Sequence, residues 1–117
     1  MPRRKQIEFH LRRMKEGWKL ARSTYYNGVF NYQHTCNKED FEHIVTLIEK
    51  HPTEGWNIPR LFRATGIQAC SIGVAVGLLR DRGLVEREGQ VYYPSEDDLW
   101  NDSMIEWDYL YYLMTGK

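Results

Sequence analysis

The chain has 117 residues, 42% of them apolar, and 16 Lys+Arg balance 16 Asp+Glu. That length suits one domain with a modest core, and the lack of any long apolar run argues against a membrane span. Cys36 and Cys70 are too few for a disulfide framework and the basic N-terminus lacks the apolar stretch of a secretory signal, so a cytoplasmic location is expected.

Charge is unevenly spread. Residues 1–30 hold eight Lys/Arg against Glu8 and Glu16, whereas residues 94–117 hold six Asp/Glu against Lys117. Ile7, Leu11, Met14, Trp18, Ala21 and Tyr25 recur at alternating four- and three-residue steps, which predicts an amphipathic helix over 5–22, extending toward 26. Asn27-Gly28 then stops it, since both tolerate positive φ. The same pair also suits a hairpin over 23–32; the helix is the preferred reading. On that helix Arg12, Lys15, Lys19 and Arg22 form a basic stripe, preceded by Arg3, Arg4 and Lys5 as a flexible arm suited to a minor groove.

Asn37 with Asp40 starts a second helix in a capping-box-like arrangement. Phe41, Ile44, Val45, Leu47 and Ile48 form its buried face, and Pro52 and Gly55 end it. A short strand is expected over 56–58. Asn57 caps a helix over 58–64 with Pro59 in its first turn. Gly66 makes the turn into a helix over 68–82, and Gly83 stops that helix. Residues 84–88 and 90–93 alternate as two strands around Gly89. Ser95 with Asp98 caps a final helix whose seam is Trp100, Met104, Trp107, Tyr111 and Met114. The expected fold class is mostly α (α+β), in one domain made of segments 1–36, 37–94 and 95–117.

From Asn37 to Tyr93 the order is helix, Gly turn, helix, Gly stop and two strands about a glycine. This resembles a winged helix-turn-helix. Thr65-Gly66-Ile67 matches the turn, Leu61 the core of the first helix, and Ile72, Val76 and Leu79 the buried side of the second. Arg82-Gly83-Leu84-Val85, followed by Gly89 and Tyr92, matches the exit into the wing. The resemblance implies a winged-helix core flanked by added N- and C-terminal amphipathic helices. It also implies double-stranded DNA as ligand, with the second helix of the motif in the major groove and the wing beside the backbone.

On that footing Arg60 and Arg63 hold phosphates, Gln68 and Ser71 approach bases, and Arg87 acts from the wing. Arg3, Arg4, Lys5, Arg12, Lys15, Lys19 and Arg22 add non-specific affinity. Three features depart from the family pattern. Val74, Ala75, Gly77 and Leu78 offer no donors to base edges. Glu86 and Glu88 bracket Arg87 in the wing. Phe62 stands where a small residue is usual.

Ala69, Gly73 and Gly77 recur every four residues and leave one helix face nearly bare. Two interior glycines cost about 1 kcal/mol each relative to Ala, so something is expected to approach closely there. Packing within the chain, by Phe62 or another helix, is the first reading; an intermolecular helix or protein partner on the Ala69–Leu78 face is the second, and close approach of a nucleic-acid backbone is the third. The acidic last helix, with Asp98, Asp102, Glu106 and Asp108, complements the basic first one.

Added helices of this kind predict a homodimer, with Trp18, Trp100, Met104, Trp107, Tyr111, Gly73 and Gly77 as interface candidates. His34, Cys36 and His43 lack the second cysteine pair that would support a zinc site. No phosphate-binding loop or nucleophile triad is discernible. The sequence therefore reads as a non-enzymatic DNA-binding protein without metal or cofactor, a small dimeric transcriptional regulator. The alternative is a winged-helix protein-interaction module that uses the Gly-bearing helix.

Overall fold

The computed structural model describes residues 4–116, and in it the N-terminal third is a sheet, not a helix. Strands β1 (Lys5–Met14), β2 (Gly17–Tyr26) and β3 (Val29–Asn37) form an antiparallel meander in the order β1-β2-β3. The mostly α fold with an added N-terminal helix is therefore incorrect, and the protein is α+β with its strands first. The physical reason lies in the turns. Asn27 (φ 53°) and Gly28 (φ 80°) both adopt positive φ, as a two-residue hairpin turn demands. They pair Tyr26 with Val29. At the other end Met14 pairs with Gly17 across Lys15 and Glu16. Asn31 is the extra residue of a β-bulge opposite Thr24 and Tyr25.

One sheet face is apolar. The row Leu11–Leu20–Cys36 runs across all three strands and is almost fully buried. The other face is polar, as expected of an antiparallel sheet solvated on one side. There Arg12 Nη1 donates to Gln33 Oε1 (2.8 Å), and Gln33 Nε2 donates to Ser23 Oγ (2.8 Å).

Helices α1 (Lys38–Lys50), α2 (Ile58–Thr65) and α3 (Ala69–Asp81) follow, then the hairpin β4 (Val85–Glu88) and β5 (Val91–Pro94), and finally α4 (Leu99–Thr115). Asn37 Oδ1 caps α1 by accepting from Asp40 N at 2.7 Å, and Asn57 Oδ1 caps α2 by accepting from Arg60 N at 2.8 Å. Each satisfies a first-turn amide that has no partner within its helix. Trp56 and Tyr92 exchange backbone hydrogen bonds as an isolated bridge, tying the start of α2 to the hairpin. The Ser95 cap expected for the last helix does not form. Instead α4 begins at Leu99, and Glu49 Oε1 on α1 accepts from Trp100 N at 3.2 Å.

α3 is the centre of the core. Ile72, Val74, Ala75, Val76, Leu78 and Leu79 are all buried, so this helix is apolar over most of its circumference. Its neighbours are α2, α1, the hairpin and the inner face of the β2–β3 ribbon. Fully burying one aliphatic side chain is worth about 1.5–3 kcal/mol, so this helix anchors the rest of the fold. The close approach predicted for its glycines comes from the sheet. A Cβ on Gly77 would sit 3.2 Å from Phe9 Cζ, whereas one on Gly73 would meet only Ile58 Cδ1 at 4.0 Å. Phe62 is half exposed and is not the group that fills this face.

Candidate functional site

The positions expected to meet DNA fall into three groups. The first is occupied within the chain. Ser71 Oγ donates to Thr35 O on β3 at 2.8 Å, so it turns toward the sheet instead of toward a base. Arg60 is clamped: Nη1 donates to Glu54 O (2.7 Å) and Gly55 O (3.0 Å), Nη2 donates to Glu54 Oε2 (2.6 Å), and the guanidinium lies 4.8 Å over the Trp56 ring. This arginine holds the 51–57 loop in place and has little left for phosphate.

The second group is the N-terminal basic set, which the sheet divides. Arg12 and Lys19 are cross-strand partners on the polar face, and Lys15 sits in the exposed turn. Arg22 has the opposite side-chain direction, since successive strand residues alternate. Its Cδ comes within 3.9 Å of a Cβ on Gly77, and its Nε is buried without a hydrogen-bond partner. A continuous stripe of four does not exist. Nor is the arm loose from residue 4 onward: Arg4 N donates to Asn27 Oδ1 (2.9 Å), Asn27 N donates to Arg4 O (2.8 Å), and Lys5 begins β1. Arg3 lies outside the described residues.

The third group stays open. Arg63 is exposed on the last turn of α2, and Gln68 is exposed at the start of α3. Gly66, with φ 74°, links them and donates its N–H to Phe62 O. No side chain caps α3, and Ala69 and Cys70 in its first turn are exposed. Its leading amides thus lack a side-chain cap at the helix end where the dipole favours an anion. Arg87 on the hairpin is exposed; its Nε donates to Gly89 O (2.9 Å) and its Nη2 to Gln90 Oε1 (3.2 Å). It lines a shallow groove with Asn57, Pro59 and Tyr92, which sets the hairpin beside the start of α2.

The interface candidates are also partly used within the chain. Trp107 is 3% exposed and packs on Phe41 with ring centroids 5.3 Å apart. Trp18 meets Tyr111 edge to face at 5.5 Å, and Met104 packs against the core. The aromatic seams of the two ends thus pair inside one chain. Among the described residues the acidic last helix makes one ion pair, Glu106 to Arg82 at 3.6 Å, and none to the N-terminal basic residues.

A second apolar stripe, which the seam concealed, lies on the other side of α4. Ile105, Tyr109, Tyr112 and Leu113 follow four-, three- and one-residue steps and are each more than half exposed. The signal was visible in the sequence: α4 is apolar around most of its circumference, and such helices are normally covered on all sides.

Among the described residues no three His, Cys, Asp or Glu side chains are grouped to hold a metal ion, and no helix is long and apolar enough to cross a membrane. Comparison with protein-family models, with curated proteins and with solved structures returned no match.

Proposed function

We propose that this is a non-enzymatic protein that binds duplex DNA through its phosphate backbone and acts as a dimer. Residues 37–94 serve in this reading as a winged helix-turn-helix unit of altered emphasis. The observation that carries it is the open surface around the α2–α3 turn: the uncapped first turn of α3, with Arg63 and Gln68 beside it. Free amides at a helix N-terminus and a nearby guanidinium suit a phosphate. The body of α3 is under the sheet, so base reading is limited to what Gln68 reaches, and affinity is mainly electrostatic.

The test is fluorescence anisotropy on a random-sequence duplex across a salt series. Binding should weaken linearly in log salt, with a slope of about −0.9 per phosphate contacted. The double variant Arg63→Glu with Arg87→Glu should lose on the order of tenfold or more at low salt and show a shallower slope. Undetectable binding at low salt, or a double variant indistinguishable from the parent, would remove this reading.

The dimer rests on the exposed stripe of α4. An isologous contact places the same patch on both subunits, and two copies of a helix bearing Ile105, Tyr109, Tyr112 and Leu113 supply such a patch. Two linked DNA surfaces would also raise apparent affinity without new contacts. Sedimentation equilibrium should give a dimer for the parent chain. Ile105→Glu with Leu113→Glu should raise the dissociation constant by roughly a hundredfold, about 3 kcal/mol. A parent chain that sediments as a monomer at micromolar concentration contradicts the dimer.

A further inference from the structure

A cavity of about 610 Å³ lies where the β1–β2 turn, the start of α1 and the last half of α4 meet. Its volume is that of a small-ligand site. Three of its walls are aromatic: Trp18, Trp107 and Tyr111. Trp18 and Tyr111 stand nearly perpendicular, at 79°. They meet edge to face, a corner in place of a stacked pair, and both line the cavity. Glu16, Glu39 and Asp108 also line it.

The cavity already contains a cation of the chain's own. Lys38 Nζ sits 5.9 Å from the centroid of the Trp107 ring. An ammonium over an indole face is drawn by the ring quadrupole. The other lysine of the lining, Lys19, is matched by Glu16 at 3.2 Å. Once that pair is set aside, the charged residues left in the lining are Lys38, Glu39 and Asp108, none of which forms an ion pair with another among the described residues.

We propose that this cavity is a binding site for an alkylated ammonium cation, with Lys38 as the internal stand-in that the ligand displaces. Trp18, Trp107 and Tyr111 supply the ring faces, and Asp108 and Glu39 supply the compensating charge. A quaternary ammonium suits such walls better than a primary one. It spreads its charge over methyl groups that make dispersion contacts, and it gives up less hydration on entry. Lys38 reaches the Trp107 ring from the first position of α1, a solvent-exposed residue, so it can swing out without disturbing the core. This site is independent of the DNA reading.

The experiment is a titration of the full chain followed by the indole N–H resonances of Trp18 and Trp107. Choline chloride is compared with 3,3-dimethylbutan-1-ol, its neutral carbon analogue, and sodium chloride serves as the salt control. Choline should give saturable shifts at both indoles, and the neutral analogue should bind at least tenfold more weakly. Lys38→Gln should tighten choline severalfold by removing the competitor, and Asp108→Asn should loosen it severalfold. Both residues are exposed, and matching circular dichroism melts establish that the fold is kept.

A trimethyllysine peptide forms the second arm. Tighter binding of that peptide than of choline identifies a methylated protein as the source of the cation, and the reverse identifies a small free ammonium. Equal response to choline and to its neutral analogue would overturn the proposal. So would the absence of saturable shifts in both the parent and the Lys38→Gln protein.

Discussion

Replacing Trp107 by alanine should lower stability by about 3–5 kcal/mol, the range seen for deleting a buried tryptophan or phenylalanine. The side chain is 3% exposed and its ring packs on Phe41, which is itself fully buried on α1. α4 is held to the rest of the fold mainly by this contact and by Leu99 and Leu110, both nearly fully buried. Truncation removes that packing and leaves a cavity between α1 and α4. A loss of that size is a large share of the 5–15 kcal/mol that an ordinary domain possesses.

Urea unfolding should show the midpoint falling with the slope unchanged, provided α4 remains docked. The contrast is Trp100→Ala. That ring is 40% exposed at the first turn of the same helix, and its truncation should cost within about 1.5 kcal/mol. Similar losses for the two variants would mean that α4 is not seated as described. A reduced slope for Trp107→Ala would mean that the helix has undocked altogether.

The same comparison explains what could be read from the sequence. Trp100, Met104, Trp107, Tyr111 and Met114 share one helical side, but the residues α4 buries are Leu99, Ser103, Trp107 and Leu110, and Trp100, Tyr111 and Met114 are exposed. Period alone could not separate Trp107, deep against Phe41, from Trp100 at the rim. Neither could it reveal that Ile105, Tyr109, Tyr112 and Leu113 would be left uncovered. Exposure depends on where the neighbouring elements end, which is a tertiary fact. The helices capped by Asn37 and Asn57, and the left-handed turn at Gly66, were legible because each rests on a local device: a side-chain oxygen accepting from an amide three residues on, or a residue able to take positive φ.

The N-terminal segment misled for an identifiable reason. Six apolar residues between Ile7 and Tyr25 fit a helical step, yet that reading puts Phe9 and Leu20 off the apolar face. Leu20 is fully buried and Phe9 packs against the core, as the two-residue period of Ile7, Phe9 and Leu11 in β1 and of Trp18 and Leu20 in β2 requires. A helix would also have carried Gly17 in its interior at a cost of about 1 kcal/mol. In the sheet Gly17 has φ 119° beside the turn, a region that L side chains rarely adopt. Asn27-Gly28 was the decisive local signal, and it serves as a hairpin turn. The sheet also changes the site. Once residues 5–37 form a sheet, they lie over α3, engage Ser71, and part Arg22 from Arg12 and Lys19.

Alkaline pH should destabilise the protein through Cys36, and the effect should disappear when that thiol is removed. The side chain is 1% exposed on the inner face of β3, with its Sγ–H directed at Asn37 O (3.5 Å). Burial pushes the thiol up from 9.0 to about 12; the Asp40 carboxylate adds to the rise and Lys19 opposes it. A thiolate is thus disfavoured in the folded state relative to the unfolded one. Between those two values the unfolded chain releases a proton that the native chain retains. Stability is therefore fully present below about pH 9 and declines as pH rises toward 12. At about pH 10.5 the loss from this group is on the order of 2 kcal/mol.

Other groups titrate in the same window, so the measurement is a difference: urea unfolding of the parent and of Cys36→Ala at pH 8 and at about pH 10.5. The alanine variant should start less stable, from the lost packing, and then lose less on going to high pH. The native protein should also expose one fast-reacting thiol, Cys70, which sits in the first turn of α3 in contact with solvent. Cys36 should react only on unfolding, because the nucleophile is the thiolate and the site excludes both charge and reagent. An identical pH dependence in parent and variant would show that the Cys36 thiol is not sequestered under the sheet. Two equally fast thiols in the native protein would place β3 away from α3 and undo the central packing of the fold.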